Sequence, residues 1–359
     1  MHRIISLIHI YPFIASLGSF LIGWVFMPKV IEIAKKRNFV VKPNKRTSHQ
    51  GAVPNIGGID IFISFFLTVF IFSFQAVSQV QFIILGVFII LIVGFVDDLI
   101  DIKPKWKLIG EILSAFFLIV LADVKLTNFH GFMGVYHVSM EMSYFVSFFV
   151  FLVIINALNL IDGVDGLASG LGGLYCLFFG WYFYLTNHIE LSISAFSMLG
   201  SLAVFFIYNV FGSKRKIFMG DSGSLLLGFL ITLFVFQFCE MNINPSFDQQ
   251  YYISAAPAFS ICLLSIPLFD TLRVFITRIK KGVTPFRPDK NHIHHLLLKV
   301  GLKHKQVTFV LLAVTIVFVG LGIMGRNWWN GFLIVVALAL ASILTLILWR
   351  IVDFKNSSK

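Results

Sequence analysis

Two aspartates three residues apart stand among glycines in NLIDGVDGLASG, residues 159–170, directly behind the apolar run SYFVSFFVFLVIINAL. Asp162 and Asp165 therefore end a stretch that reads as membrane-spanning. Other acids have similar settings. FVDDLIDIK places Asp97, Asp98 and Asp101 at the end of another apolar run, and KRKIFMGDSGSLLLG places Asp221 at the start of a third. Clustered carboxylates repel one another unless a cation compensates, and oxygen-only ligands suit Mg2+ or Mn2+. Mg2+ binds through one or two carboxylates and keeps positions for waters and substrate phosphates. The adjoining glycines let the backbone approach a ligand, and N–H groups at helix starts and nests attract phosphate. In GDSGS the same residues also read as a cap for the following helix, a role compatible with metal binding. Any one acid alone would read as a solvated loop or helix-end charge, as Asp123, Asp248, Asp353 and the five glutamates do. The set reads differently.

The elements that must position these acids belong to a chain of 359 residues, 58% hydrophobic and 13% charged, with 42 Phe. Soluble domains carry about 25% charged residues, so the composition excludes an ordinary soluble core. It describes an all-α integral membrane protein. A helix needs about 20 apolar residues to cross a bilayer. That ruler gives eleven candidate spans, at about 9–29, 57–75, 80–97, 107–123, 143–160, 167–186, 190–210, 222–240, 254–277, 307–325 and 330–350. The first residues read as part of the first span rather than a removed signal. Segment 124–142 alternates β-branched and small polar residues around glycines, which predicts a small β-hairpin on the outer face. Cys176, Cys239 and Cys262 lie in or beside apolar runs without metal-type spacing and read as small buried hydrophobes.

The net charge of +11 is unevenly placed. With residues 31–56 on one side, that side gathers twenty-three of the 28 Lys and Arg, against Arg3, Lys125 and Arg326 opposite. The positive-inside rule then puts the amino terminus outside and the carboxyl terminus in the cytoplasm. Cytoplasmic loops at about 31–56, 97–107, 159–168, 211–222 and 278–306 hold the acids at one depth. The charge thus reports topology and anionic ligands at a membrane face, not nucleic acid. A transporter or flippase would place acids at mid-depth on broken helices. No broken helix is expected here, and the third, fifth and eighth spans read as continuous, which disfavours transport.

The last large loop, TRIKKGVTPFRPDKNHIHHLLLKVGLKHKQ (277–306), carries eight Lys and Arg together with His292, His294 and His295. Zinc is the alternative reading of clustered histidines. This face offers no cysteine, however, and the surrounding cations disfavour another. Imidazoles and guanidinium groups, Arg287 among them, fit a pyrophosphate better.

Taken in order, RTSHQGAVPNIGGI, DDLID, NALNLIDGVDGLASG, FMGDSGSLLLG and PDKNHIHHLL resemble the polyprenyl-phosphate N-acetylhexosamine-1-phosphate transferases. That family moves a sugar-1-phosphate from a UDP-sugar to a lipid phosphate. The resemblance covers most of the chain and implies a single polytopic domain over 1–359 in the bacterial inner membrane. It implies Mg2+ (with Mn2+ as alternative), a UDP-N-acetylhexosamine donor and undecaprenyl phosphate as acceptor, with a homodimer left open. The tail motif resembles the branch that uses UDP-GlcNAc and starts cell-surface glycans. The muramoyl-pentapeptide branch has an uninterrupted His triplet, where this chain reads His292, Ile293, His294, His295. UDP-MurNAc-pentapeptide or a UDP-deoxy-amino sugar is the alternative donor.

The resemblance also assigns roles. Asp97 and Asp98 would stand by the lipid phosphate as catalytic residues. Asn159, Asp162 and Asp165 would contact nucleotide and pyrophosphate, and Asp221 would be the principal metal ligand with Asn159 a second. Phe218 matches a uracil-stacking position, and Arg287, His292, His294 and His295 a loop contacting pyrophosphate and sugar. Lys45, Arg46 and His49 lie in the first substrate loop. Asp270 and Arg273 fit the pattern too, or form an i,i+3 pair. The implied reaction is attack of the lipid phosphate on the β-phosphorus, with UMP leaving. A phosphate monoester has a second pKa of about 6, so the acceptor needs little activation from Asp97. A covalent intermediate on Asp97 or Asp98 is the rival scheme.

Overall fold

The computed structural model describes residues 9–41, 53–73, 80–213, 215–244, 250–282 and 292–357. Lys45, Arg46, His49, Asp248 and Arg287 lie outside the described residues. Continuous apolar runs form helices because a helix satisfies each backbone N–H and C=O within its own segment.

The chain opens with α1 (Tyr11–Lys36) and a short antiparallel pair, β1 (Val40–Val41) with β2 (Val53–Pro54). Next come α2 (Gly57–Phe72), α3 (Val80–Ile100) and α4 (Pro104–Phe116), the last continuing as a π-helical turn over Phe117–Leu121. Strands β3 (Asn128–Phe132) and β4 (Val135–His137) form an antiparallel ribbon within 124–142. The bundle is completed by α5 (Met140–Ile161), α6 (Leu167–Leu185), α7 (Ile189–Phe211) and α8 (Gly220–Met241), then α9 (Ala256–Leu263) and α10 (Ser265–Lys280). Helices α11 (Ile293–Lys299), α12 (His304–Met324) and α13 (Asn330–Ser357) end the chain.

Helices occupy all eleven apolar stretches. Among the described residues seven are long and apolar enough to cross a membrane alone, namely α1, α3, α5, α7, α8, α12 and α13. The protein is a multi-pass membrane protein.

The ninth stretch corrects the expectation of unbroken helices. Residues 254–277 read as one span, yet α9 and α10 meet at a bend of 81°. Pro267 supplies the reason: it has no N–H for the carbonyl of Leu263, and its ring crowds that carbonyl. Helices α3, α5 and α8, which carry the acids, are continuous.

Helix α8 forms the centre of the bundle and packs against α3, α5 and α2. Only Asp221, Gln237, Glu240 and Met241 of its residues escape burial. Around it Phe178, Phe179, Phe238 and Phe259 interlock, with the rings of Phe178 and Phe259 stacked at 4.8 Å.

At the far end of α8, about 30 Å from Asp221 along the helix, polar groups tie the β3–β4 ribbon down. Asn330 Nδ2 donates to the His130 carbonyl at 2.8 Å and Trp329 Nε1 to that of Gly131 at 3.0 Å. The Thr127 amide and hydroxyl both donate to the Glu240 carboxylate at 2.7 Å. Two glutamates therefore depart from the solvated role expected of all five: Glu240 is half-buried, and Glu111 on α4 is buried. Glu32, Glu141 and Glu190 are exposed as expected.

Candidate active site

Four helix ends meet where the acids gather. The end of α3 brings Asp97 and Asp98, the end of α5 brings Asn159, and the start of α8 brings Asp221. The first turn of α4 adds Lys107. Its Nζ donates to Asp97 Oδ2 at 3.1 Å and to Asn159 Oδ1 at 3.5 Å, and it pairs with the Asp221 carboxylate. Asn159 Nδ2 in turn donates to Asp221 Oδ1 at 3.1 Å and to Ser224 Oγ at 2.8 Å. Three oxygen-bearing side chains thus surround one cationic nitrogen. In the sequence Lys107 reads only as one of the positive charges of the 97–107 loop. The available signal was a lysine standing at the head of an apolar helix, six residues after the loop's acids.

Asp98 has a different job from its neighbour. Its carboxylate accepts from the Asp221 amide (2.7 Å), the Ser222 amide (3.0 Å), Ser222 Oγ (2.7 Å) and Asn55 Nδ2 (3.0 Å). These include two N–H groups that the start of α8 leaves without intrahelical partners. The expectation that GDSGS caps its own helix is therefore corrected. The N-cap position is Met219, which makes no side-chain cap bond, and the cap comes from α3 instead. Gly220 permits this closeness. Its φ is +71°, and a Cβ there would stand 2.4 Å from the Asn55 carbonyl oxygen and 2.5 Å from Asp98 Oδ2. Asp97 keeps Oδ2 toward Lys107 while Oδ1 accepts from the Ile102 amide at 2.9 Å.

Beyond Asn159 the chain turns through Asp162 and Asp165. Asp165 pairs with Lys216 at 2.6 Å, and Lys216 lies 5.5 Å from the ring centre of the half-exposed Phe218. Thr308 Oγ1 on α12 donates to the Asp165 carbonyl at 2.7 Å, so the turn is held from a third element. Asp162 faces the remaining acids. Burial foremost, then Asp221, Asp98 and Asp165, push its carboxyl well above the usual range. A carboxyl raised in the folded state lowers stability only above its unfolded value of about 3.9, since below it both states hold the proton. Asp162→Asn should therefore melt a few degrees above the parent protein at pH 8 and together with it at pH 3. A melting curve at each pH checks this, and equal curves at both would remove the repulsion from the account.

The histidines stand on the other side of that turn. Asp270 of α10 accepts from the Ile293 amide and meets His292 Nδ1, both at 2.9 Å, while Arg273 Nη2 donates to it at 2.7 Å. Of the two readings of Asp270 the i,i+3 pair with Arg273 is present, and the same carboxylate also anchors the head of α11. The His292 and His294 rings stack at 5.6 Å, and the His295 ring lies 4.3 Å from that of His294. His294 packs onto the Asp162 turn, where a Cβ at Gly163 would come within 2.8 Å of its Nε2. Burial above all, then the neighbouring His295, lowers His294 to about 3. It is neutral, so in place of the expected positive charge it offers only a hydrogen bond.

Among the described residues no three His, Cys, Asp or Glu side chains group closely enough to cage a metal. The oxygens of Asp221, Asn159 and Asp97 nevertheless form a hard donor set already converged on a cation, Lys107. That suits Mg2+, which takes few protein ligands and completes its shell with waters and phosphates.

Fold and site together define a multi-pass membrane protein whose helix ends gather oxygen-bearing side chains around Lys107. The family model for glycosyl transferase family 4 matches residues 80–238, a stretch holding Asp97, Lys107, Asn159, Asp162, Asp165, Phe218 and Asp221. The chain is 31% identical to the undecaprenyl-phosphate alpha-N-acetylglucosaminyl 1-phosphate transferase of Haemophilus influenzae, over 88% of this chain and 86% of that protein. The Pasteurella multocida protein of the same name is 30% identical, over 87% and 85%. Its counterpart in Escherichia coli K12 is 26% identical, over 86% and 83%. The chain belongs to glycosyl transferase family 4.

Proposed function

We propose that the protein transfers N-acetylglucosamine-1-phosphate from UDP-N-acetylglucosamine to undecaprenyl phosphate, releasing UMP and leaving a lipid-linked diphospho-sugar. The observation that carries this reading is the convergence of Asp97, Asn159 and Asp221 on one cationic centre at the helix ends. Exposed apolar residues stand near three of these four side chains: Ile100 beyond Asp97, Trp106 beside Lys107 and Leu160 beside Asn159. A water-soluble donor and a lipid acceptor can meet only at such a border. The names of the relatives agree with the sugar and the lipid.

The site faces the cytoplasm in this reading, because Lys and Arg gather at the end of the bundle that holds the acids. The eleven helical stretches are crossings, with α9 and α10 forming one bent span and the β3–β4 ribbon outside. Mg2+, with Mn2+ as substitute, would be held by Asp221 and Asn159, where it supplies divalent charge against the pyrophosphate oxygens.

Phosphoryl transfer depends mainly on positioning and electrostatic stabilisation. Lys107, on the first turn of α4, supplies a positive charge for the acceptor phosphate. That phosphate is mostly a dianion near neutral pH, with a second pKa of about 6, so Asp97 positions it and removes a proton only from the minority monoanion. His294 offers a neutral donor toward the pyrophosphate, and Phe218 an aromatic face for the uracil. A single displacement is favoured over a phospho-aspartate. Asp98 is committed to four donors, and both Asp97 oxygens already have partners.

The test is UMP release by purified protein in detergent with undecaprenyl phosphate and Mg2+. Separate reactions receive UDP-GlcNAc, UDP-GalNAc, UDP-MurNAc-pentapeptide or a UDP-deoxy-amino sugar. Lipid-dependent UMP from UDP-GlcNAc is expected. Release from another donor alone would replace the sugar, and none from folded protein with any donor would sink the proposal.

A further inference from the structure

Glu111 stands one helical turn beneath Lys107 on α4 and is 1% exposed. Asn156 Nδ2 donates to its Oε2 at 2.8 Å, while Oε1 is buried with no hydrogen-bond partner among the described residues. A buried carboxyl with half its hydrogen-bonding capacity unused is costly and calls for a use.

The surroundings suggest one. Helix α4 carries Lys107 and Glu111 at i and i+4, and α5 carries Asn156 and Asn159 at i and i+3. The two helices thus face each other through two polar rungs, Lys107 with Asn159 at 3.5 Å and Glu111 with Asn156 at 2.8 Å. Helical side chains lean toward the amino-terminal end, so Glu111 leans toward the turn that carries Lys107. Lys107 itself sits among the oxygens of Asp97, Asn159 and Asp221, the place a divalent ion would take. Two cations do not share one small set of oxygens without strong repulsion.

We propose that Glu111 is a positioning residue, the alternate counter-ion that receives Lys107 when a divalent cation enters between Asp221 and Asn159. The inference rests on the proposed reading of Asp221 as the metal ligand. Glu111 touches neither substrate nor metal. It acts by giving Lys107 a second resting place on the same helix face, where the i,i+4 spacing brings opposite charges together. Without it Lys107 stays on Asp221 and competes with the ion.

Mn2+ binding by the full chain in detergent, read from the EPR signal of the free ion, tests this without turnover. The parent protein should bind Mn2+ and Asp221→Asn should not. Glu111→Gln keeps the shape and should weaken binding about tenfold, the low end for residues that support metal ligands. Lys107→Met removes the competitor and should bind more tightly than the parent. The double variant Lys107→Met/Glu111→Gln should match Lys107→Met alone. Unchanged affinity in Glu111→Gln overturns the inference. So does an equal loss in both backgrounds, which would indicate a packing role. If the parent binds Mn2+ and Asp221→Asn does not, the metal reading stands whatever Glu111→Gln does. A parent that binds none removes both.

Discussion

Asp221→Asn is expected to lose lipid-dependent UMP release by a factor on the order of 10³, since removing charge stabilisation at a reacting phosphoryl centre costs several kcal/mol. The substitution is nearly isosteric and leaves the helix start intact, because Asp98 holds the backbone amide of residue 221 and not its side chain. An unchanged melting temperature should therefore accompany the lost rate. The loss should also persist at high Mg2+, because the substitution removes the proposed ligand itself. Activity above a tenth of the parent's would place the cation elsewhere.

Asp98→Ala should act through stability. Four donors converge on that carboxylate, and removing it strands two helix-start amides, a hydroxyl and an amide side chain in a part-buried place. Leaving buried donors unsatisfied costs about 1–3 kcal/mol for each, so a loss on the order of 3 kcal/mol or more is expected. Asp97→Ala, one residue away, strands no helix-start amide of α8; it removes the acceptor of the Ile102 amide and of Lys107. It should melt closer to the parent while losing most of its rate. The pair of melting curves separates the two aspartates. If Asp98→Ala melts with the parent and is inactive, Asp98 is catalytic and the capping account is wrong.

That contrast also measures how far the sequence could be read. The eleven apolar stretches and the order of the acidic motifs were legible, because membrane helices announce themselves by composition and Asp in such a setting is costly. The division of labour between Asp97 and Asp98 was not. Their neighbours in sequence are the same, and what separates them is the start of α8, 123 residues later. Lys107 was visible as a charge but not as the centre of the acids, since that depends on how α3, α4, α5 and α8 converge. Glu111 reads as a helix-end charge in the sequence because the side chain that holds it, Asn156, lies 45 residues on. The bend at Leu264 has a local signal in Pro267, masked because the surrounding 24 residues are long and apolar enough to read as one span. His294 shows the same limit from another side: clustered histidines suggest positive charge, and only burial makes this one neutral.

The distances in sequence that separate partners have a consequence for how the protein is made. At a synthesis rate of about 5–20 residues per second, Asp98 leaves the ribosome roughly 6–25 s before the amides 123 residues behind that it will cap. The turn at Asp165 waits longer still, for Thr308, 143 residues behind. Through that interval the nascent chain carries several unpartnered carboxylates in a membrane. At mid-bilayer each would oppose insertion. Placed at helix ends they can remain hydrated until the last helices arrive, so the depth of the site suits biogenesis as well as catalysis.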